Sequence, residues 1–201
     1  VTKRCYTKPN ISTAATTCAG IGSTNLSTDT PTVEFFYDGK GLAQQQTPHN
    51  FAKGKLTKVT NGISATEYMT FDNVGRLTRS KQITDGIEYG GGTDPTFWMT
   101  YAYNLSGALV QEAYPSGRVV RNEFESDGDL MQVLSRKAND TFRNYVNSFS
   151  YTAAGGISQM RLGNGKWETA KFNSRLQVDE LGLGSSATNA ALWKINYSYG
   201  E

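Results

Sequence analysis

The sequence has little of the chemistry that catalytic and metal sites require. Its 201 residues include one histidine, His49, and two cysteines, Cys5 and Cys18. A Ser-His-Asp or Cys-His site would have to use His49, which lies in the polar insertion Gln44–Asn50 and is typical of an exposed loop side chain. A structural zinc site takes four ligands and would need more histidine than this. We therefore expect no enzyme, no metal site and no cofactor.

The sequence also has no large excess of basic or of acidic side chains. The chain has 20 basic and 18 acidic side chains, for a net charge of +2. Nucleic-acid-binding domains usually carry a clustered basic face. The densest basic stretch is Lys53, Lys55 and Lys58, which apolar residues interrupt, so we predict a solvated strand face and no nucleic-acid partner. No stretch approaches the ~18 apolar residues of a membrane span, and none resembles a signal peptide at the N-terminus.

The two cysteines lie in a first segment, residues 1–32, that differs from the rest. It is rich in Thr, Ser and Ala and has few aromatic residues. A disulfide between Cys5 and Cys18 would close this segment if the protein is exported, and two reduced thiols are the alternative. We interpret residues 1–32 as a separate N-terminal segment and residues 33–201 as a repeat array that is truncated at its C-terminus.

What the sequence does have favours strands and tight turns over helices: 21 glycines, 11 tyrosines and many threonines. From Val33 onward one pattern recurs, an alternating aromatic strand, a turn with Asp, Asn or Gly, a glycine, and a Leu or Ile that starts a second strand. The glycines before that Leu or Ile are at positions 54, 75, 107, 128 and 156, at intervals of 21, 32, 21 and 28 residues. Self-similarity at about twenty residues indicates stacked repeats.

One unit is a β-hairpin with an aromatic face. In Met99–Tyr103, alternate side chains share one face, which is apolar and aromatic. A single hairpin is only marginally stable in water, so stacked copies are expected to cover each other's faces. The best helix candidate is the short alanine-containing stretch Ser185–Trp193.

These residues resemble the YD repeats of the RHS-repeat family, whose motif runs aromatic, any residue, Tyr, Asp, two further residues, Gly, Arg, Leu. The best copy is Phe71–Leu77, with Phe in place of Tyr, and Tyr37–Asp38 keeps the name-giving pair before a long insertion. The resemblance covers residues 33–199. It assigns structural motif roles to Tyr37, Asp38, Phe71, Asp72, Gly75, Arg76, Leu77, Tyr103, Gly107, Phe124, Gly128, Tyr151 and Gly156.

The resemblance implies an all-β fold of consecutive antiparallel β-hairpin repeats in a curved or spiralling sheet, part of a YD-repeat shell. Aromatic residues would pack between hairpins, glycines would permit the turns, and Asp72 and Asn104 would cap them. The implied function is a non-catalytic segment of a secreted or cell-surface bacterial protein whose shell encloses a toxin or serves as a scaffold. Its partners would be the remaining repeats or domains, and open sheet edges would permit self-association.

A carbohydrate-binding or cell-surface recognition module is the alternative function. Trp98, Trp167 and Trp193 could form an aromatic platform for sugar rings, although aromatic residues at alternating positions are more often core. Two other patterns in the sequence are weaker. The carboxylates of Glu123, Glu125, Asp127 and Asp129 are more typical of a solvated turn than of a glycosidase or calcium site, and Asp94-Pro95 matches a self-cleavage motif poorly.

Overall fold

The computed structural model describes residues 2–6, 30–42, 51–84, 87–88 and 98–200, and for 87–88 only the backbone. Within these residues the structure consists of β-strands and turns, without a helix. No helix in the described part of the chain therefore has the length and apolarity that crossing a membrane requires. The strands are β1 Thr2–Arg4, β2 Val33–Tyr37, β3 Leu56–Thr60, β4 Ala65–Phe71, β5 Leu77–Thr84, β6 Ile87–Glu88, β7 Met99–Tyr103, β8 Leu109–Ala113, β9 Val119–Phe124, β10 Leu130–Arg136, β11 Arg143–Tyr151, β12 Ile157–Leu162, β13 Trp167–Phe172, β14 Val178–Gly184 and β15 Trp193–Asn196.

The chain divides into two compact units, residues 1–102 with 113–117, and residues 103–112 with 118–201. In the first unit the strand order is β1-β2-β3-β4-β5-β7, and β6 pairs with β5. In the second unit β8 to β15 follow one another in chain order. The pairs whose register the structure gives are all antiparallel, which confirms the all-β fold of consecutive antiparallel hairpins.

Strand β4 shows why these residues form sheet. Ala65, Glu67 and Met69 alternate along it and are buried, whereas the residues between them are half-buried. Few side chains in either unit are fully buried, and the buried apolar ones are Ala52, Ala65, Met69, Trp98 and Val119. Most of the packing is therefore between half-buried side chains on neighbouring strands, where each cross-strand pair contributes a small increment.

The helix candidate over residues 185–193 does not form a helix. These residues form a bend with an isolated bridge between Ser186 and Asn189, and Trp193 begins β15. The reason lies in the preceding strand. A Cβ added to Gly184 would lie 1.3 Å from the backbone oxygen of Asn189, so the loop folds back directly onto a strand that has no side chain there.

The N-terminal residues do not stand apart from the array where the structure describes them. Strand β1 pairs with β2, with Thr2 opposite Phe35 and Arg4 opposite Val33. The division between the two units falls near residues 102–118. Cys5 is disulfide-bonded, and Cys18 lies outside the described residues.

Candidate functional site: repeat turns and tyrosine contacts

A five-residue turn closes most of the hairpins. In Asp72–Arg76, the backbone N–H of Asp72 donates to the carbonyl of Arg76, and the N–H of Gly75 donates to the carbonyl of Asp72, both at 2.9 Å. The same pair of bonds, between positions one and five and between positions four and one, closes five further turns at distances of 2.8 to 3.1 Å. These are 104–108, 125–129, 152–156, 162–166 and 173–177. The recurring pattern in the sequence is therefore a recurring turn geometry.

Position four of this turn requires a positive φ. Glycine occupies it in five of the six turns, for example Gly75 at 83° and Gly128 at 100°, and Leu176 occupies it in the sixth at 61°. The sequence pattern marked Gly156, the glycine next to the following strand, and this is wrong by one residue. Gly155 has the positive φ of 80°, and Gly156 is position five. The pattern could not place the register where two glycines are adjacent.

Position one caps the turn with its side chain. Asp72 Oδ1 accepts hydrogen bonds from the N–H groups of Val74 at 3.1 Å and Arg76 at 2.8 Å. The guanidinium of Arg76 also donates to Asp72 Oδ2 at 2.6 Å. Burial acts to raise the pKa of the Asp72 carboxyl, but these bonds from Arg76 and Val74 together bring it below its usual value. Asn104 has the same role, because its Oδ1 accepts from the N–H of Ala108 at 2.9 Å.

The first YD pair keeps the bond between positions one and five, and a capping bond to its aspartate, across an insertion. The N–H of Asp38 donates to the carbonyl of Lys55 at 3.1 Å, and the N–H of Gly54 donates to Asp38 Oδ1 at 2.6 Å. Asp38 and Lys55 thus occupy positions one and five, with 16 residues between them where the other turns have three. Tyr37, just before this turn, is 38% exposed.

Tyrosine hydroxyls connect neighbouring hairpins. Tyr151 ends β11, and its hydroxyl donates to the carbonyl of Leu130, the first residue of β10, at 2.8 Å. Tyr199 makes the same contact with Val178, the first residue of β14, also at 2.8 Å. Both contacts span 21 residues. The aromatic residues at the corresponding positions of other copies, Phe71, Tyr103 and Phe124, are half-buried.

The tyrosine contact has an electrostatic consequence. Burial raises the pKa of the Tyr151 phenol, and the negative charges of Asp129 and Asp127 raise it further. The hydroxyl therefore stays protonated and keeps its proton for the bond to Leu130. The acidic turn and the tyrosine line the same pocket of about 380 Å³, together with Phe149.

Two charge triads recur with the same spacing. Glu67 lies between Lys58 at 3.0 Å and Lys81 at 3.4 Å, and its side chain is fully buried. In the second unit, Glu180 lies between Lys171 at 3.0 Å and Lys194 at 2.8 Å. In both, the glutamate follows the first lysine by nine residues and precedes the second by fourteen. Sequence reasoning missed both triads, although the repeated Lys-9-Glu-14-Lys spacing could have revealed them.

The second triad is the more exposed one. The Lys171 and Lys194 side chains are 67% and 46% exposed, against 19% and 10% for Lys58 and Lys81. Hydrogen bonds from Lys194 and Lys171 lower the pKa of the Glu180 carboxyl. One motif thus exists in a buried and an exposed version.

Comparison with solved structures finds a similar fold in chains of toxin complexes. The Photorhabdus luminescens Tc holotoxin pore matches with a TM-score of 0.64 and 15% identity, over 84% of this chain and 8% of that chain. The TcdB2-TccC3 crystal structure matches with a TM-score of 0.65 and 15% identity, over 84% of this chain and 9% of that chain. The TcdB2-TccC3-Cdc42 structure gives a TM-score of 0.59 over 75% of this chain.

The neighbours are RHS/YD-repeat shell proteins. The chain has the RHS-repeat fold. It spans less than a tenth of the length of those chains. No protein-family model matches the sequence, and no curated protein matches it. The fold expected from the YD-motif resemblance is confirmed on structure, at a level of identity where the sequences alone give no match.

Within the RHS-repeat fold the three tryptophans do not form a platform, which corrects the expectation for Trp98, Trp167 and Trp193. Trp98 is buried, and the guanidinium of Arg79 lies 4.4 Å from the centre of its ring. Trp167 is opposite Gly184 and Trp193 is opposite Leu183. Because consecutive residues of β14 point to opposite faces, the last two rings lie on opposite faces of the sheet.

The remaining candidate residues have structural surroundings. Asp127 accepts the N–H of Asp129 at 3.2 Å within its turn, and Glu123 is hydrogen-bonded to Gln132. In the described ranges no group of three or more His, Cys, Asp or Glu side chains could hold a metal ion. His49, Asp94 and Pro95 lie outside the described residues.

Proposed function

We propose that the chain is a non-catalytic structural repeat segment of a secreted or cell-surface RHS-repeat protein. In this role it contributes hairpins to an encapsulating β-shell or scaffold. The observation that carries the proposal is the 21-residue tyrosine contact, which joins one hairpin to the carbonyl of the preceding one. Polar side chains at the motif positions are used to close turns and stack repeats, as in Asp72, Asn104 and Tyr151.

The proposed partners are further repeats of the same full-length protein. In the described residues, β15 pairs with β14 on one side and has no strand on the other. Trp193 is 47% exposed and Tyr197 is 40% exposed there, so an apolar surface accompanies the unpaired edge. An unpaired edge and an apolar surface together favour addition of another strand. This chain covers only 8% and 9% of the solved chains that share its fold, which supports the same partner.

Limited proteolysis of the full-length gene product tests this proposal. If the segment is part of a shell, its described strands should remain in a resistant body with the neighbouring repeats, because stacked hairpins protect each other's backbone. Mass spectrometry of the fragments would locate the first cleavage sites. Early release of the segment as a separate monomer, with no other repeats attached, would refute the structural role.

The carbohydrate alternative now depends on the surface around β15, where Trp193, Tyr197 and Tyr199 are exposed. A glycan array with the full chain and a Trp193→Ala variant tests it. Binding that the variant loses would favour recognition, whereas an edge that is covered in the full-length product would favour the shell.

A further inference from the structure

Two arginines converge on one aromatic ring in the second unit. Arg121 on β9 is opposite Leu134 on β10, and Arg136 is two residues further along β10, so both arginines lie on the same face of the sheet. Their guanidinium carbons lie 4.3 Å and 5.4 Å from the centre of the Phe142 ring. The two charged groups therefore cannot be further apart than the sum of these two distances.

Neither arginine has a carboxylate partner in the part of the chain that the structure describes. The guanidinium groups of Arg121 and Arg136 form no ion pair and no hydrogen bond there, although both residues are half-buried. The lysines of both triads, in contrast, each contact a glutamate. Two like charges held together repel each other, and an anion between them would convert this repulsion into attraction.

We propose that Arg121, Phe142 and Arg136 form a binding site for a single oxyanion group, a carboxylate or sulfate, carried by an acidic saccharide or present as a free small anion. A guanidinium offers parallel N–H donors that match the oxygens of such a group. Contact with the Phe142 ring restrains both guanidinium groups, so less side-chain freedom is lost when the anion binds. The site is separate from the turns and tyrosine contacts of the proposed function.

The surroundings favour an isolated oxyanion over a long polyanion. Glu123 lies two residues from Arg121 on the same face of β9, and the acidic turn Glu125–Asp129 follows this strand. A nucleic acid laid along the strands would meet these carboxylates and be repelled. An acidic peptide has no strand edge to join, because β10 and β11 are each paired on both sides.

Isothermal titration calorimetry on the full chain tests the site. The probes are sodium sulfate, digalacturonate, a singly sulfated disaccharide and a 20-base-pair DNA duplex. Wild-type protein should bind at least one of the first three. Arg121→Gln and Arg136→Gln should each weaken that binding by about tenfold, the effect of losing one charge-assisted hydrogen bond. Arg175→Gln removes an exposed turn arginine of the same unit and should leave binding unchanged.

Phe142→Leu gives a second readout, because it keeps both charges and removes the ring that holds them. Its affinity should fall while its far-ultraviolet circular dichroism stays that of the wild type. Sulfate binding equal to that of the saccharides would identify a small-anion site, and stronger saccharide binding would identify the saccharide as the source. No binding of the three anions at millimolar concentration, equal binding by the double Arg→Gln variant, or a preference for the DNA duplex would overturn the proposal.

Discussion

Removing the hydroxyl of Tyr151 isolates the contact between neighbouring hairpins. Tyr151→Phe keeps the ring and deletes the donor to the Leu130 carbonyl, a 2.8 Å bond in a partly buried position. A neutral hydrogen bond contributes about 1 kcal/mol, and leaving a partly buried carbonyl without a donor adds to the cost. We therefore expect the free energy of unfolding to fall by about 1 to 1.5 kcal/mol. For a chain of this size that is a loss of roughly 3 °C in Tm.

Urea denaturation followed by circular dichroism measures the change, and two other tyrosines supply the comparison. Tyr197→Phe removes a hydroxyl without a described hydrogen bond and should have no effect. Tyr199→Phe removes the equivalent bond at a 45% exposed position, where water can replace the donor, so a loss below about 0.5 kcal/mol is expected. Equal stability of Tyr151→Phe and wild type would refute the claim that the hydroxyl joins the hairpins.

The raised pKa of Tyr151 gives an independent measurement of the same contact. Because the folded-state pKa lies above the unfolded value of about 10, its contribution to stability is complete below pH ~10 and is lost as the pH rises through the folded pKa. Spectrophotometric titration should show one tyrosine ionising late in the wild type, and Tyr151→Phe should lack it. A titration in which no tyrosine ionises late would contradict the partly buried, acid-flanked position of the phenol.

Three further predictions concern the turns and the triads. Gly128→Ala should lower the free energy of unfolding by about 1 kcal/mol because the φ of Gly128 is 100°; the added Cβ would meet no neighbouring atom, so this cost comes from the backbone conformation. Leu176→Gly, at a φ of 61°, should raise the free energy of unfolding by about 0.5 kcal/mol. If urea denaturation gave changes of the same sign for both variants, the shared turn position would be contradicted. Glu67→Gln should cost about 3 kcal/mol by the same assay because two lysines lose their buried partner, and Glu180→Gln should cost less; equal losses would show that burial is irrelevant. The pKa of Asp72 in the folded state is lowered, so the stabilising effect of its carboxylate is present above pH ~4 and is lost as the pH falls through that folded pKa. In the Asp72→Asn variant, Tm should therefore fall less steeply as the pH is lowered. A profile of Tm against pH equal to that of the wild type would contradict this.

Local patterns made the fold predictable from the sequence. Strand alternation and turn chemistry act over a few residues, so β4 and the turn at Asp72–Arg76 follow from the residues themselves. Where local signals compete, the prediction fails. Because Gly155 and Gly156 are adjacent, the sequence pattern assigned the positive φ to Gly156, one residue after the glycine that has it. The alanines after Gly184 are typical of a helix, but the close contact between Gly184 and the backbone of Asn189 determines the conformation of that loop.

The sites that depend on pairing between strands were not visible in the same way. The opposite faces of Trp167 and Trp193 depend on the register of three strands, β13, β14 and β15. The convergence of Arg121 and Arg136 likewise depends on a pairing that joins residues 15 positions apart. The composition shows a nearly balanced charge, but it does not show that the guanidinium groups of Arg121 and Arg136 both lie against the Phe142 ring.

The insertion between Asp38 and Lys55 has a consequence for engineering. Asp38 and Lys55 keep the bond that pairs the ends of the turn although the chain between them is much longer than in the other turns, so the strand pairing tolerates an insertion at this point. The entropic cost of a longer loop grows only slowly with its length. Each turn of this geometry is therefore a graft point, at which an epitope, an affinity tag or a whole folded domain could be spliced in while the flanking strands keep their register.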